Sequence, residues 1–149
     1  MKRTAKLTLH TSPKALMPTI TAYTAGFNLA AQAGYPLKKL DSNEIHNLTY
    51  TKVREYLPSQ LACSSRCKAV EALKSLRDRQ QKENWRAKRD NREPKVYRCP
   101  QSKQSAIRYD ARSYNIWFDR GQVSLLTTTG RLKVNFTVPE YFKQYLSWK

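Results

Sequence analysis

KRTAKLTLH, residues Lys2–His10, is the stretch that decides how this chain is organised. Its polar residues at even positions alternate with Ala5, Leu7 and Leu9, which is the pattern of a half-buried strand with a basic outer face. A single strand is not stable alone, and a period of two returns only from Ala106 onward. We therefore expect this strand to join the C-terminal strands in a small sheet or barrel, with the intervening helices inserted between them.

The first inserted helix has a clear start and end. Ser12-Pro13 suits an N-cap and first helical position, and Gly34-Tyr35-Pro36 predicts the end. Pro18 either kinks this helix or delays its start. Its apolar face is predicted from residues with helical spacing: Leu16, Ile20, Tyr23 and Phe27.

Further helices are predicted up to Leu76. Residues 41–47 resemble a short capped turn, residues 48–57 a short helix closed by Pro58, and a longer helix begins near Ser59. On this last helix Arg66 extends by its aliphatic stem from a stripe of otherwise small or apolar residues: Ala62, Cys63, Ala69, Val70, Leu73 and Leu76.

The segment 77–98 contains nine Lys/Arg, four Asp/Glu and few apolar residues. This composition predicts either a fraying, solvated helix end or a mobile basic linker. The segment is either a plain connector or a contact surface that follows a phosphate backbone. Arg77, Arg86 and Arg89 are its candidate contacts.

After residue 98 the pattern becomes that of strands. Four short strands are expected, around residues 107–109, 114–118, 123–125 and 132–136, and a helical segment over 140–148. The predicted class is α+β, organised as 1–11 (first strand), 12–98 (helical insert with a basic linker at 77–98) and 99–149 (remaining strands and C-terminal segment).

The formal net charge of +17 is larger than solubility requires and predicts a polyanionic partner, above all nucleic acid. The alternative is an alkaline protein whose charges are merely solvated. Neither a membrane-spanning run nor a secretory segment is present in the sequence, so we expect a cytoplasmic protein without membrane association.

Catalytic and cofactor signatures are missing from the sequence. The carboxylates are scattered, and Asp110 and Asp119 flank a hairpin where Asp is common as a turn residue. His10 and His46 lie far apart, and a phosphate-binding glycine loop is absent. Cys63 and Cys67 are interpreted as buried core side chains rather than metal ligands. We expect no metal, no cofactor and no catalytic centre in this chain.

Basic residues lie beside aromatic ones, a combination that permits phosphate contact together with base stacking. Tyr50, Lys52 and Arg54 form one such group, and Arg66 on the next helix is a further candidate. Tyr50 is as consistent with packing as with binding, and Tyr114 and Trp117 favour packing. The remaining candidates lie on the predicted strands or beside them: Lys2, Lys6, Arg112, Arg131 and Lys133.

Several segments, in this order, resemble the N-terminal half of the OrfB or TnpB family of transposon-encoded RNA-guided DNA endonucleases, relatives of type V CRISPR effectors. The resemblance covers nearly the whole chain, and no single segment is diagnostic. It rests on Lys6–Pro13, Leu48-Thr49-Tyr50, Leu57–Gln60 with Ala69–Ala72, Tyr109–Ser113, and Val123–Val134.

The resemblance implies a wedge-type barrel with the helices as a recognition lobe. Such a module would hold guide-type structured RNA and target DNA, and base pairing would read the target sequence. By position, Tyr50, Ser59, Gln60, Cys63 and Ser64 correspond to the surface that reads a short DNA motif, with Arg54 beside it.

The sequence departs from the family in lacking the carboxylates of the RuvC-like domain and the paired CxxC zinc ribbon. We therefore expect a non-catalytic nucleic-acid-binding module: a truncated frame, one half of a split protein whose nuclease half is a separate polypeptide, or a standalone regulator. The alternatives are a small basic structural RNA-binding protein and an enzyme with an unrecognised metal site.

Overall fold

One antiparallel sheet and a bundle of three long helices dominate the computed structural model, which describes residues 4–143. Lys2 lies outside the described residues. The elements of the described range are, in chain order, β1 (Thr8–His10), α1 (Pro13–Gly34), α2 (Ser42–Arg54), α3 (Ser59–Arg89), β2 (Tyr114–Trp117), β3 (Gln122–Thr127), β4 (Gly130–Thr137) and α4 (Glu140–Lys143).

The sheet has the strand order β1-β4-β3-β2, so the prediction that the first strand joins the C-terminal strands is confirmed, as is the α+β class. Thr8 pairs with Thr137, and His10 with Asn135. The sheet is open, however, and not the barrel expected from the sequence. Its edge strands, β1 and β2, have three and four residues, too few to curl round and pair with each other.

The first helix begins and ends as predicted. The Ser12 hydroxyl accepts a hydrogen bond from the Lys14 N–H (3.3 Å), and the chain leaves the helix at Gly34. The helix starts at Pro13, so Pro18 does not delay it.

The predicted turn at 41–47 and helix at 48–57 are a single helix, α2, so the predicted break between them was wrong. The Asp41 carboxylate caps this helix by accepting from the Asn43 N–H (2.7 Å). Its buried residues Ile45, Thr49 and Val53 are spaced by four and run through the expected break, because one continuous face packs against the bundle.

Of the two alternatives predicted for 77–98, the linker was wrong, because α3 extends to Arg89 as a mostly solvent-exposed helix end. Residues 92–98, which we call the strap, fold back along it. Gln80 bonds to the strap backbone at Lys95 (2.8 Å) and Tyr97 (2.9 Å). Polar contacts of this kind stabilise a segment that has few apolar side chains.

Of the four predicted strands, those around 114–118, 123–125 and 132–136 are confirmed as β2, β3 and β4. The strand expected at 107–109 is absent, because its backbone bonds to α3 instead of to the sheet. Ser64 donates to the Arg108 carbonyl (2.6 Å), and Lys68 donates to the Ala106 carbonyl (2.6 Å). Of the helix predicted at 140–148, residues 140–143 form α4, and the rest lies outside the described residues.

Three apolar clusters hold these elements together. One joins the three long helices around Ile45 and Leu73, and another surrounds Tyr23 and Leu57. The third covers one face of the sheet, centred on Val134. Across residues 4–143, the helices lack the combination of length and hydropathy that crossing a bilayer requires.

Candidate nucleic-acid interface

The outer face of the sheet gathers two of the predicted contact residues, Arg131 and Lys133. They are exposed on β4, whereas Leu132 between them and Val134 after them pack in the apolar cluster on the other face. The register places buried Ser124 of β3 and exposed Asn115 of β2 on the same face, because Lys133 pairs with Ser124 and Ser124 with Asn115.

A third basic residue, Arg112, lies at the same face just before β2. The Arg131 guanidinium donates to the Arg112 carbonyl (2.9 Å). The loop that carries Arg112 is fixed by Asp110, whose carboxylate accepts from the Arg112 N–H (3.0 Å) and from the Ser113 N–H and hydroxyl. These bonds, the Ser113 hydroxyl first among them, lower the pKa of Asp110. Its predicted role as a turn residue is confirmed.

The sheet surface, as we call it, also contains half-buried Trp117 and a polar pair opposite it. Trp117 pairs with Gln122, and the Gln122 amide donates to the Asn135 side chain (3.1 Å). The surface therefore combines three cations, amides and one indole: Arg112, Asn115, Trp117, Gln122, Arg131, Lys133 and Asn135. Such a set can bind phosphates and stack a base.

The corner between α2 and α3 carries a second group of predicted residues. Tyr50 stacks on His46, with ring centroids 4.3 Å apart, and is half-buried. Lys52 and Arg54 are exposed, and the Arg54 guanidinium donates to the Leu57 carbonyl (2.7 Å). Ser59 and Gln60 are half-buried at the start of α3. A cleft of about 260 Å³ separates this corner from Thr128 in the turn between β3 and β4.

Two predicted contact residues point inward instead. Ser64 is buried; it bonds to the Tyr23 hydroxyl (3.0 Å) and donates to the Arg108 carbonyl. Arg66 is half-buried, and its guanidinium donates to the Ser42 carbonyl (3.1 Å) at the start of α2. These contacts connect α3 to its neighbours.

The predicted residues of the charged segment lie along α3. Arg77 donates to the carbonyls of Leu37 and Lys38 and so fastens the loop between α1 and α2. Arg86 and Arg89 are exposed near the far end of the helix. Lys6 is exposed just before β1.

The cysteines do not both lie in the core as expected. Cys63 is half-buried, but Cys67 is exposed, because it lies outside the face of α3 that contains Ala62, Ala69 and Leu73. Within residues 4–143, the structure shows no group of three or more His, Cys, Asp or Glu side chains placed to hold a metal ion.

Ion pairs neutralise a minority of the basic residues. The Arg108 guanidinium donates two hydrogen bonds to the Glu71 carboxylate (2.7 and 2.6 Å), which lower the pKa of Glu71. Arg92 binds buried Glu83 (2.7 Å), and this bond, with a weaker one from the Lys95 N–H, lowers the pKa of Glu83 to about 2. The described residues contain five ion pairs, so most of their cations have no carboxylate partner.

No protein-family model, curated protein or solved structure matches this chain.

The sequence pattern identified the cations of the sheet surface but not its indole, because aromatic residues at strand spacing more often pack in a core. The alternation of side chains along the strand could have identified it. Trp117 lies on the same face of β2 as Asn115, whereas Tyr114 and Ile116 lie on the other face and contact the core.

Proposed function

We propose that this chain is a cytoplasmic nucleic-acid-binding module of the OrfB/TnpB type. It binds structured guide RNA and target DNA without cleaving them, and any cleavage is supplied by a separate polypeptide. The sheet is proposed as an open form of the wedge, and the helical bundle as the recognition lobe.

One observation carries the proposal: most of the basic residues have no carboxylate partner, and three of them lie on the same face of the sheet as Trp117. Each cation that neutralises a phosphate releases condensed counterions, so charge at this density favours a polyanion whatever its sequence. The amides of the same surface hydrogen-bond base or sugar edges, and the indole stacks a base.

The test is a binding titration with structured RNA and with duplex DNA at several salt concentrations. If about six duplex phosphates are contacted, the plot of log K against log salt has a slope near −5. A flat salt response would overturn the electrostatic basis of the proposal.

A pair of matched variants assigns the binding to the sheet surface. Arg131→Gln with Lys133→Gln removes two exposed charges there, whereas Lys38→Gln with Lys39→Gln removes two exposed charges between α1 and α2. We expect the first pair to reduce the magnitude of the salt slope by about 2 and the second to leave it nearly unchanged. Equal effects would mean that only net charge matters and that the sheet surface is not the interface.

Incubation of the purified chain and its RNA with target DNA and Mg²⁺ or Mn²⁺ tests the non-catalytic part of the proposal. Divalent-dependent cleavage would favour an enzyme with an unrecognised metal site. Binding to RNA but not to DNA would instead favour the small structural RNA-binding protein.

A further inference from the structure

Trp85 projects from the distal half of α3 into solvent. Its side chain is 62% exposed, and the Arg89 guanidinium lies over its ring, 5.3 Å from the centroid. Lys82 and Arg86 are exposed one turn before and one residue after it. With Gln81, they line a shallow cavity of about 340 Å³ beside the indole.

The strap leaves this side of α3 uncovered. At 100° per residue, Gln80, Glu83 and Ala87 share one side of the helix, and Trp85 points the opposite way. Gln80 and Glu83 bond to the strap, and Ala87 is buried. The strap thus occupies the side away from the indole.

Charge around the indole is strongly positive. Residues 81–89 contain four cations, Lys82, Arg86, Lys88 and Arg89, and the single carboxylate of Glu83. Glu83 faces the strap and pairs with Arg92, so its charge is neutralised on the far side. Arg89 also pairs with Asp90 (2.8 Å), and Asp78 lies one turn before Lys82.

An exposed aromatic ring flanked by cations fits a nucleobase between phosphates. Proteins that follow a long single strand stack successive bases on several aromatic residues, whereas residues 81–89 offer only one. One ring is suited to a single unstacked base of the kind presented by loops and bulges of folded RNA.

We infer that Trp85 stacks an unpaired base in a loop of the RNA, while Lys82, Arg86 and Arg89 hold the phosphates beside it. This inference rests on the proposed function, because it names a contact of the same RNA at a site separate from the sheet surface.

The experiment measures the binding of a labelled RNA hairpin with an adenine loop to wild type, Trp85→Ala, Trp85→Leu and Trp85→Phe. Stacking of one base predicts a rise in Kd of about 5- to 150-fold for the Ala and Leu variants. The Phe variant keeps an aromatic face and stays close to wild type. A blunt RNA duplex without a loop should bind all four proteins alike.

Four results would overturn the site. Equal hairpin affinity of wild type and Trp85→Ala, with the normal salt slope, removes the site and leaves the proposed function intact. Equal loss in the Phe and Ala variants shows a contact other than stacking. A larger Trp85 effect on a DNA hairpin with the same loop contradicts the assignment to RNA. Absence of any salt-dependent binding to hairpin or duplex overturns both the site and the proposed function.

Discussion

Replacing Ser64 with Ala tests whether this residue stabilises the bundle or contacts nucleic acid, as the sequence predicted. Its hydroxyl bonds to the hydroxyl of Tyr23, which is fully buried, and to the Arg108 carbonyl. Ala removes both bonds and leaves two polar groups without their partner.

The expected loss follows from those two contacts. A buried polar group left without a hydrogen bond costs about 1–3 kcal/mol, so we expect Ser64→Ala to lower the free energy of unfolding by roughly 2 kcal/mol. For a chain of this size, that corresponds to a fall in Tm of about 4–8 °C. Burial also raises the pKa of Tyr23 above the ordinary value of 10, so its phenol stays protonated into the alkaline range.

The assay is chemical denaturation of Ser64→Ala beside Ser75→Ala, a matched change at an exposed position of the same helix. We expect Ser75→Ala to be neutral or slightly stabilising, by up to about 0.5 kcal/mol. In a Tyr23→Phe background, Ser64→Ala should cost less, with a coupling energy of about 1 kcal/mol.

RNA affinity separates the two roles of Ser64. Corrected for the folded fraction, Ser64→Ala should bind RNA and DNA like wild type. A variant that is as stable as Ser75→Ala but binds DNA weakly would refute our reasoning and support the contact predicted from the sequence.

Three further substitutions test the core packing and the two side chains whose pKa is shifted most. Gly34→Ala places a Cβ 2.6 Å from the Cδ1 atoms of buried Ile45 and Leu73. We expect a net loss of stability, because overpacking costs about 1–3 kcal/mol and the gain in helix propensity is about 1 kcal/mol. Unchanged stability in chemical denaturation would show that these two side chains move aside without cost. The pKa of Glu83 is about 2 in the folded chain and about 4.3 in the unfolded chain, so this residue contributes stability that is lost as pH falls from about 5 toward 2. In denaturation measured at several pH values, Glu83→Gln should therefore lose less stability on acidification than wild type. Parallel plots of stability against pH for the two proteins would contradict this. Burial raises the pKa of Tyr109 to about 12, so the stability contributed by its neutral form is lost between about pH 10 and 12. In an absorbance titration at alkaline pH, Tyr109→Phe should remove the tyrosine ionisation near pH 12. The same titration profile in both proteins would argue against this assignment.

Local signals were enough to predict where most elements begin. The start of α1 is marked by the Ser12 cap and by Pro13, and the start of α3 by Pro58, whose φ is fixed; these signals act within a few residues. The sequence also predicted that β1 joins the C-terminal strands, because an isolated strand must find a partner, but it did not predict that this partner is β4. Each of these inferences needs only the chemistry of neighbouring residues or the general requirement that a strand be paired.

Two of the errors originate in long-range polar contacts. The distal half of α3 lacks an apolar stripe, and it is held by Gln80 and Glu83 bonding to the strap, which no periodicity reveals. The same holds for Ser64, whose burial depends on Tyr23 and on the Arg108 backbone 44 positions away. The candidate site was predicted best on β4, where alternation alone places Arg131 and Lys133 outward.

The pairing of β1 with β4 also imposes an order on folding during synthesis. His10 and Thr137, which share a hydrogen bond, are 127 positions apart, so a ribosome delivering about 5–20 residues per second completes this edge on the order of ten seconds after starting it. The three long helices, which lie between these positions, emerge earlier and pack on one another. We therefore expect a nascent chain with a finished bundle whose N-terminal strand waits unpaired, and the arrival of β4 ends its exposure to other strands.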